Sequence, residues 1–345
     1  MFFAVFRDGE GCKSYLIGCD ETHAAAIIDP ALDLVDHYIG EIGKQGLRLR
    51  YIIDTHTHAD HFSGAQALRQ EFGAPIVMHR FSPAPYVDMH VEDGHSLPLG
   101  TMRMRVLHTP GHTRDSMSLH VADRVFTGDT LLIGGTGRSD LPSGDPDQLY
   151  DSLFSKLLAL PDETLVFPAH DYKGRESTTI GEQRASNPRL AKAERAEFVA
   201  LMNSLNLSAP THLTEALRTN MSGGKTVRQL LAEASARVPF MAMDELARRI
   251  ANRSNSFIVL DVRERDAFDS GHIPGAVHLS RGQLELRINT VLPDPSVEIL
   301  TICEFGKIST LAAATLRDLG FQRVTALDGG MAAWRESGGV VEGAA

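Results

Sequence analysis

One run of residues constrains this chain more than any other: Thr55-His56-Thr57-His58-Ala59-Asp60-His61. It follows directly on an apolar stretch, Tyr51–Ile53, that reads as the end of a β-strand. The carboxyl end of a strand opening into a loop is where layered α/β folds present ligands. Three imidazoles and a carboxylate at such a place supply nitrogen and oxygen donors for a transition metal. Crowded behind a buried strand, they need a cation or extensive hydrogen bonding to offset their desolvation.

Three later turns each offer one more ligand-type side chain just past a strand-like run. His112 lies in Thr109-Pro110-Gly111-His112-Thr113, Asp129 in Phe126-Thr127-Gly128-Asp129-Thr130, and His170 in Phe167-Pro168-Ala169-His170-Asp171. Glycine in the first two lets backbone approach an ion closely. Taken singly, each reads equally well as structural. In this order behind the first cluster they read as one metal site.

The chain has 345 residues, more than one core usually serves, so two domains are expected. Strands are expected at Ser14–Gly18, Ala24–Ile28, Leu49–Ile53, Pro75–Met78, Met102–Leu107, Ser116–Val121, Arg124–Phe126 and Thr164–Phe167. Asp145 and Pro146 can open a helix that puts Leu149, Leu153 and Leu157 on one face. From about 177 to 231 the pattern is helical, with breaks at Pro188 and Pro210. The first domain is expected over residues 1–235, a linker over 236–241, and the second domain over 242–345. The second restarts as alternating strand and helix: Phe257–Asp261, Ala276–Leu279, Glu298–Ile302, a helix over Ser309–Leu319, and Arg323–Leu327. That alternation predicts a small parallel sheet.

The His-x-His-x-Asp-His run, the later Gly111-His112 and Gly128-Asp129, and the final His170 resemble the metallo-β-lactamase superfamily, closest to its glyoxalase II-like members. The resemblance implies an αββα sandwich for the N-terminal domain. With all seven candidates bound, His56, His58 and His112 hold one metal, Asp60, His61 and His170 a second, and Asp129 bridges. Such a dinuclear zinc site hydrolyses thioesters. The alternative uses His56, His112 and Asp129 alone, a facial triad with three open positions suited to non-haem Fe(II), one per chain. His58, Asp60, His61 and His170 then orient that triad. The segment 127–140, especially Gly137-Arg138-Ser139-Asp140, and the runs Ala169–Gly174 and Asn187–Leu190 resemble persulfide dioxygenases, which favours the triad. Thr136 stands where some members of that family carry Cys. The family's reaction turns glutathione persulfide, O₂ and water into sulfite and glutathione. For the glutathione, Arg138, Tyr172 and Lys173 are the expected contacts.

A second centre is Thr301-Ile302-Cys303-Glu304-Phe305-Gly306-Lys307-Ile308-Ser309. A thiol in a loop at a helix N-terminus faces backbone N–H groups that stabilise a thiolate or a bound anion. Around it, Val259–Arg263, Gly271–His278 and Leu327–Trp334 resemble a rhodanese domain. The resemblance makes Cys303 the catalytic cysteine of a thiosulfate sulfurtransferase, with Gly306 and Lys307 contacting substrate. It makes Asp261, Arg263, Glu264 and His272 pins of the scaffold. Many rhodaneses carry Arg where Ile308 stands here. The expected flow passes sulfane sulfur between thiosulfate and glutathione, with sulfite at either end of the scheme. A non-catalytic rhodanese module beside a thioester hydrolase is the competing reading.

The remaining expectations are exclusions. The formal net charge is −10 and no Lys/Arg run occurs, so nucleic acid and anionic membrane are not expected partners. No apolar run approaches the ~20 residues of a membrane span. Met1–Phe6 is too short for a signal peptide and is broken by Arg7 and Asp8. Three cysteines, Cys12, Cys19 and Cys303, do not make a disulfide framework. A cytoplasmic location is therefore expected, and a homo-oligomer is left open.

Overall fold

A computed structural model describes residues 1–9, 11–191, 194–205, 213–252 and 257–343. They divide into two compact units, Met1–Gly224 and Lys225–Ala345. The first is built from two six-stranded sheets. One sheet runs in chain order through β1 (Phe2–Arg7), β2 (Lys13–Gly18), β3 (Ala24–Ile28), β4 (Arg48–Ile53), β5 (Ile76–His79) and β6 (Met89–Val91). The other contains β7 (Ser96–Leu99), β8 (Met102–His108), β9 (Met117–Val121) and β10 (Arg124–Gly128). A short hairpin, β11 (Leu131–Leu132) and β12 (Gly135–Thr136), precedes β13 (Leu165–Pro168) and β14 (Thr178–Thr179), which complete the second sheet in the order β14-β13-β10-β9-β8-β7.

β2, β3 and β5 are buried throughout because both their faces are covered, whereas β7 and β8 alternate buried and exposed residues. Tyr15, Ile17, Ala26, Ile28 and Ile53 point into a core shared with Met104, Val106, Leu119 and Phe126 of the other sheet. Their neighbours Leu16, Ile27 and Ile52 point the opposite way, onto helices α1 (Val35–Lys44) and α2 (Ala65–Phe72). Val125 and Val166 likewise turn from the inter-sheet core toward Leu149, Leu153 and Leu157. These leucines lie on α3 (Pro146–Asp151) and the π-turn that continues it over Ser152–Leu157. As expected, Asp145 caps α3, accepting from the backbone N–H groups of Asp147 and Gln148. Helices α4 (Ile180–Ser186) and α5 (Arg195–Asn203) finish that layer, giving the αββα sandwich, and α6 (Leu213–Ser222) ends the unit. Helix α4 stops ahead of Pro188 as the sequence predicts; the break expected at Pro210 lies outside the described residues.

In the second unit, β15 (Phe240–Met241), β16 (Phe257–Asp261), β17 (Val277–His278), β18 (Glu298–Ile302) and β19 (Val324–Leu327) form one sheet in the order β15-β19-β18-β16-β17, every pairing parallel. Leu260, Ile299 and Ala326 face one apolar layer, and Val259, Leu300 and Leu327 the other. The unit begins earlier than the expected 236–241 linker. Helix α7 (Val227–Arg237) belongs to it, because Ala234 and the following Val238 pack with Ala312 and Ala313 in its core. The helix after Cys303 spans Lys307–Asp318, starting two residues ahead of the expected Ser309. All three cysteines are free. Among the described residues, no helix is long and apolar enough to cross a membrane.

Candidate metal centre and sulfur-transfer loop

The first unit brings its ligand-type residues together because β3, β4, β8, β10 and β13 all deliver their carboxyl ends to one edge of the sandwich. Asp29 closes β3 in the left-handed region, φ 51°, uncommon for a residue with a side chain. That turn buries its carboxylate under the His56–His61 loop. Asp29 Oδ1 accepts the Thr55 backbone N–H at 2.7 Å, and Oδ2 accepts the Thr55 hydroxyl at 2.9 Å. The hydroxyl has one proton, and Asp29 takes it. Toward His56 Nδ1, 3.0 Å away, Thr55 can therefore only accept. His56 is thus protonated on Nδ1 and keeps a lone pair on Nε2. That Nε2 is buried and has no hydrogen-bond partner. Burial, with the neighbouring His58 adding to it, pushes the His56 imidazole well below its usual range and keeps it neutral.

His112 is fixed in the same sense from a different direction. Its Nδ1 lies 2.7 Å from the Arg138 carbonyl oxygen, which can only accept, so Nε2 again carries the lone pair. Both lone pairs face Asp129. Oδ2 of Asp129 is 3.9 Å from His56 Nε2 and 3.6 Å from His112 Nε2, beyond hydrogen-bond range. The three ligand-type atoms lie within 4.8 Å of one another. Two lone pairs and a carboxylate oxygen converge with no proton between them. Such a grouping is repulsive when buried and becomes favourable around a cation, so the donor set fits a metal ion. Gly137 allows the close packing behind it: a Cβ there would meet the Asp129 carbonyl oxygen at 1.9 Å.

The other four candidates make hydrogen bonds instead. His170 sits between two carboxylates, with Nδ1 2.6 Å from Asp129 Oδ1 and Nε2 2.6 Å from Asp60 Oδ2. Both partners accept, so His170 is an imidazolium. Burial opposes that charge, but Asp129 and then Asp60 hold the ring well above its usual range. In return, and against burial, the charge and hydrogen bond of His170 hold Asp129 well below the carboxylate range. His58 Nε2 lies 3.2 Å from Asp29 Oδ1, and His61 Nδ1 lies 3.3 Å from Asp60 Oδ2. Cys12 joins this side, its Sγ 3.3 Å from both Asp60 Oδ2 and His170 Nε2. Cys12, Asp60, His61 and His170 form a second group of ligand-type atoms, and Asp29, Asp54 and His58 a third. An ion in the second group has to displace the proton that His170 gives to Asp60.

Sequence reasoning passed over Asn220. It projects from α6, buried, and donates through Nδ2 to the carbonyl oxygens of His58 (2.9 Å) and His61 (2.8 Å). Its Oδ1 accepts the Ser63 N–H at 3.1 Å. The loop has no ladder of its own, and this one amide satisfies three of its backbone groups. Asn220→Ala leaves them without partners, at about 1–3 kcal/mol for each one buried. The expected result is a lower melting temperature together with roughly tenfold faster loss of metal to a chelator, read by metal content after challenge.

The expected substrate contacts are divided. The Arg138 guanidinium is paired with Asp140 through two bonds of 2.7 Å, so its backbone, not its charge, serves the centre. The Tyr172 ring is 76% exposed and stacks on His170, centroids 5.9 Å apart. Lys173 is exposed. Arg189 was not anticipated as a contact, although it lies in the Asn187–Leu190 run. It donates to the Thr136 carbonyl oxygen (2.7 Å) and hydroxyl (3.0 Å), beside Gly137. Burial alone moves its pKa, downward, and no carboxylate pairs with it among the described residues. On the Asp60–His61 side a cleft of about 410 Å³ opens, walled by Arg7, Leu32, Leu34 and Phe62.

In the second unit Cys303 follows β18 and is buried. Its Sγ accepts the Ser309 backbone N–H at 3.2 Å. Gly306, at φ 83°, caps the helix that Lys307 begins with an exposed side chain. Glu304 turns onto two arginines, Arg263 at 3.3 Å and Arg335. Arg263 also pairs with buried Asp261 at 2.7 Å and donates to the Gly271 carbonyl oxygen. His272 Nδ1 lies 2.9 Å from the Phe268 carbonyl oxygen. Asp261, Arg263 and His272 therefore hold the scaffold. Glu264 precedes the Arg265–Asp269 helix without a side-chain capping bond.

Two family models match this chain. The metallo-beta-lactamase superfamily model matches residues 7–170, and the rhodanese-like domain model residues 242–337. The human protein "Persulfide dioxygenase ETHE1, mitochondrial" is 40% identical over 214 residues, 61% of this chain and 84% of its own. The crystal structure of ETHE1 from Myxococcus xanthus is 43% identical with a TM-score of 0.63, covering 65% of this chain and 100% of that one. A metallo-beta-lactamase structure from Staphylococcus aureus subsp. aureus COL is 25% identical with a TM-score of 0.61, covering 95% of this chain and 98% of that one. Fold and site thus define a metallo-β-lactamase domain followed by a rhodanese domain. Through its N-terminal part, the chain belongs to the persulfide dioxygenase family.

Proposed function

We propose that the first unit oxidises glutathione persulfide with O₂ and water to sulfite and glutathione, and that Cys303 carries sulfane sulfur to or from glutathione. The observation that supports the oxidation most is the grouping of His56 Nε2, His112 Nε2 and Asp129 Oδ2, two lone pairs and one carboxylate with their outer atoms already committed. Ferrous iron held there supplies open positions for the persulfide sulfur and for O₂ together, with electrons to activate the latter. Thr55 and the Arg138 carbonyl keep both imidazoles in the ligating tautomer. His170 engages Oδ1 of Asp129, directing Oδ2 toward the histidines. Arg189, a half-buried cation without a carboxylate, is suited to a glutathione carboxylate, and Tyr172 to the peptide beside it. The test is direct: with glutathione persulfide the chain consumes one O₂ per sulfite formed, and absence of O₂ uptake overturns the assignment.

A second reading, a dinuclear zinc thioester hydrolase with a non-catalytic rhodanese module, draws on the Cys12, Asp60, His61 and His170 group. It requires His170 to give up its bond to Asp60, and a zinc-loaded chain that cleaves thioesters without taking up O₂.

A further inference from the structure

The loop over Cys303 is unusual in its charge and its rim. Among the described residues Arg263 and Arg335 are the two guanidiniums that reach it, and both are neutralised: Arg263 by Asp261 and Glu304, Arg335 by Glu304. Within residues 303–308 the one formal cation is Lys307, and Glu304 the one formal anion. The two remaining long side chains are apolar and face solvent, Phe305 at 71% and Ile308 at 51% exposure. In the same loop the buried sulfur accepts a backbone N–H from Ser309.

Thiosulfate brings two negative charges, chiefly on oxygens that want cationic or N–H partners as they leave water. Two apolar side chains and one lysine return little of that desolvation cost. At its reacting end a persulfide brings at most one negative charge, on the outer sulfur, and none when protonated, together with an organic flank that apolar side chains can cover. We infer that this loop selects an organic persulfide over thiosulfate as its sulfur donor, with Phe305 and Ile308 as the specificity-determining side chains. The inference rests on the reading of Cys303 as a sulfur-transfer thiol.

The step is balanced without an oxidant or reductant. The Cys303 thiolate attacks the outer sulfur of R–S–SH. The bond between that sulfur and R–S breaks, R–S⁻ leaves and takes the outer sulfur's proton as R–SH, and Cys303 is left as its persulfide anion. Resolution by a second thiol reverses the same exchange. The reaction that feeds the site must then be one that makes persulfides of organic thiols.

The experiment uses the full chain without O₂, so that oxidation does not consume the donor. Loading of Cys303 by one sulfur is followed by mass spectrometry with thiosulfate or with glutathione persulfide, and a Cys303→Ser chain marks loading at Cys12 and Cys19. Glutathione persulfide is expected to load Cys303 at least about tenfold faster, and Ile308→Arg to raise loading by thiosulfate about tenfold and to lower loading by the persulfide about threefold, cutting the preference about thirtyfold. Because Ile308 is exposed, its replacement leaves the core intact. Equal loading by both donors, unchanged in Ile308→Arg, overturns the selectivity alone. Loading of Cys303 by neither donor overturns the sulfur-transfer reading, and the selectivity with it.

Discussion

Replacing Asp129 by alanine is expected to lower persulfide oxidation by about a thousandfold, some 4 kcal/mol of barrier, and to leave the chain without bound iron. Three effects act together. The only anionic member of the triad is lost, so two neutral imidazole lone pairs remain, with nothing to fix a cation between them. His170 loses the acceptor of its Nδ1 proton at 2.6 Å. Of the two carboxylates that hold His170 as an imidazolium, only Asp60 remains. Substitution at His58 is predicted to be milder, because His58 hydrogen-bonds to Asp29, outside the triad. Iron content and O₂ uptake, measured on the same preparation, check this. An Asp129→Ala chain that keeps stoichiometric iron contradicts the triad.

Cys303→Ser is expected to abolish sulfur transfer and to leave O₂ uptake with glutathione persulfide within about twofold of the parent chain. A hydroxyl at that position still accepts from the Ser309 N–H, so the loop keeps its shape. It cannot form a persulfide, because an alcohol is a far weaker nucleophile than a thiolate at neutral pH. The triad lies in a unit with its own core, and its hydrogen bonds are closed within that unit. Transfer that persists in Cys303→Ser makes the second domain a module without catalysis.

The sequence revealed the parts of this protein that obey local rules. Ligand-type residues behind apolar strands were legible because a strand end is marked by its own residues. The two faces of β2 and β3 were legible as apolar runs, since covering on both sides makes nearly every residue of such a strand apolar. What stayed hidden depends on chain separated in sequence. Asp29 is an ordinary acidic residue until its backbone turns left-handed under Thr55. Asn220 meets a loop some 160 positions earlier, and nothing in α6 marks it. Arg335, the partner of Glu304, lies in the next strand–helix unit and is likewise not marked near Cys303. The membership of helix α7 is hidden for a similar reason: its small Ala234 packs on alanines of a helix far along the chain.

The proposed oxidation depends on one ferrous ion held by His56, His112 and Asp129. Metal analysis of the chain purified without O₂ tests it most directly. One iron per chain is expected, with O₂ uptake that follows iron content from preparation to preparation. Two zinc ions per chain, with thioester hydrolysis and no O₂ uptake, would contradict it.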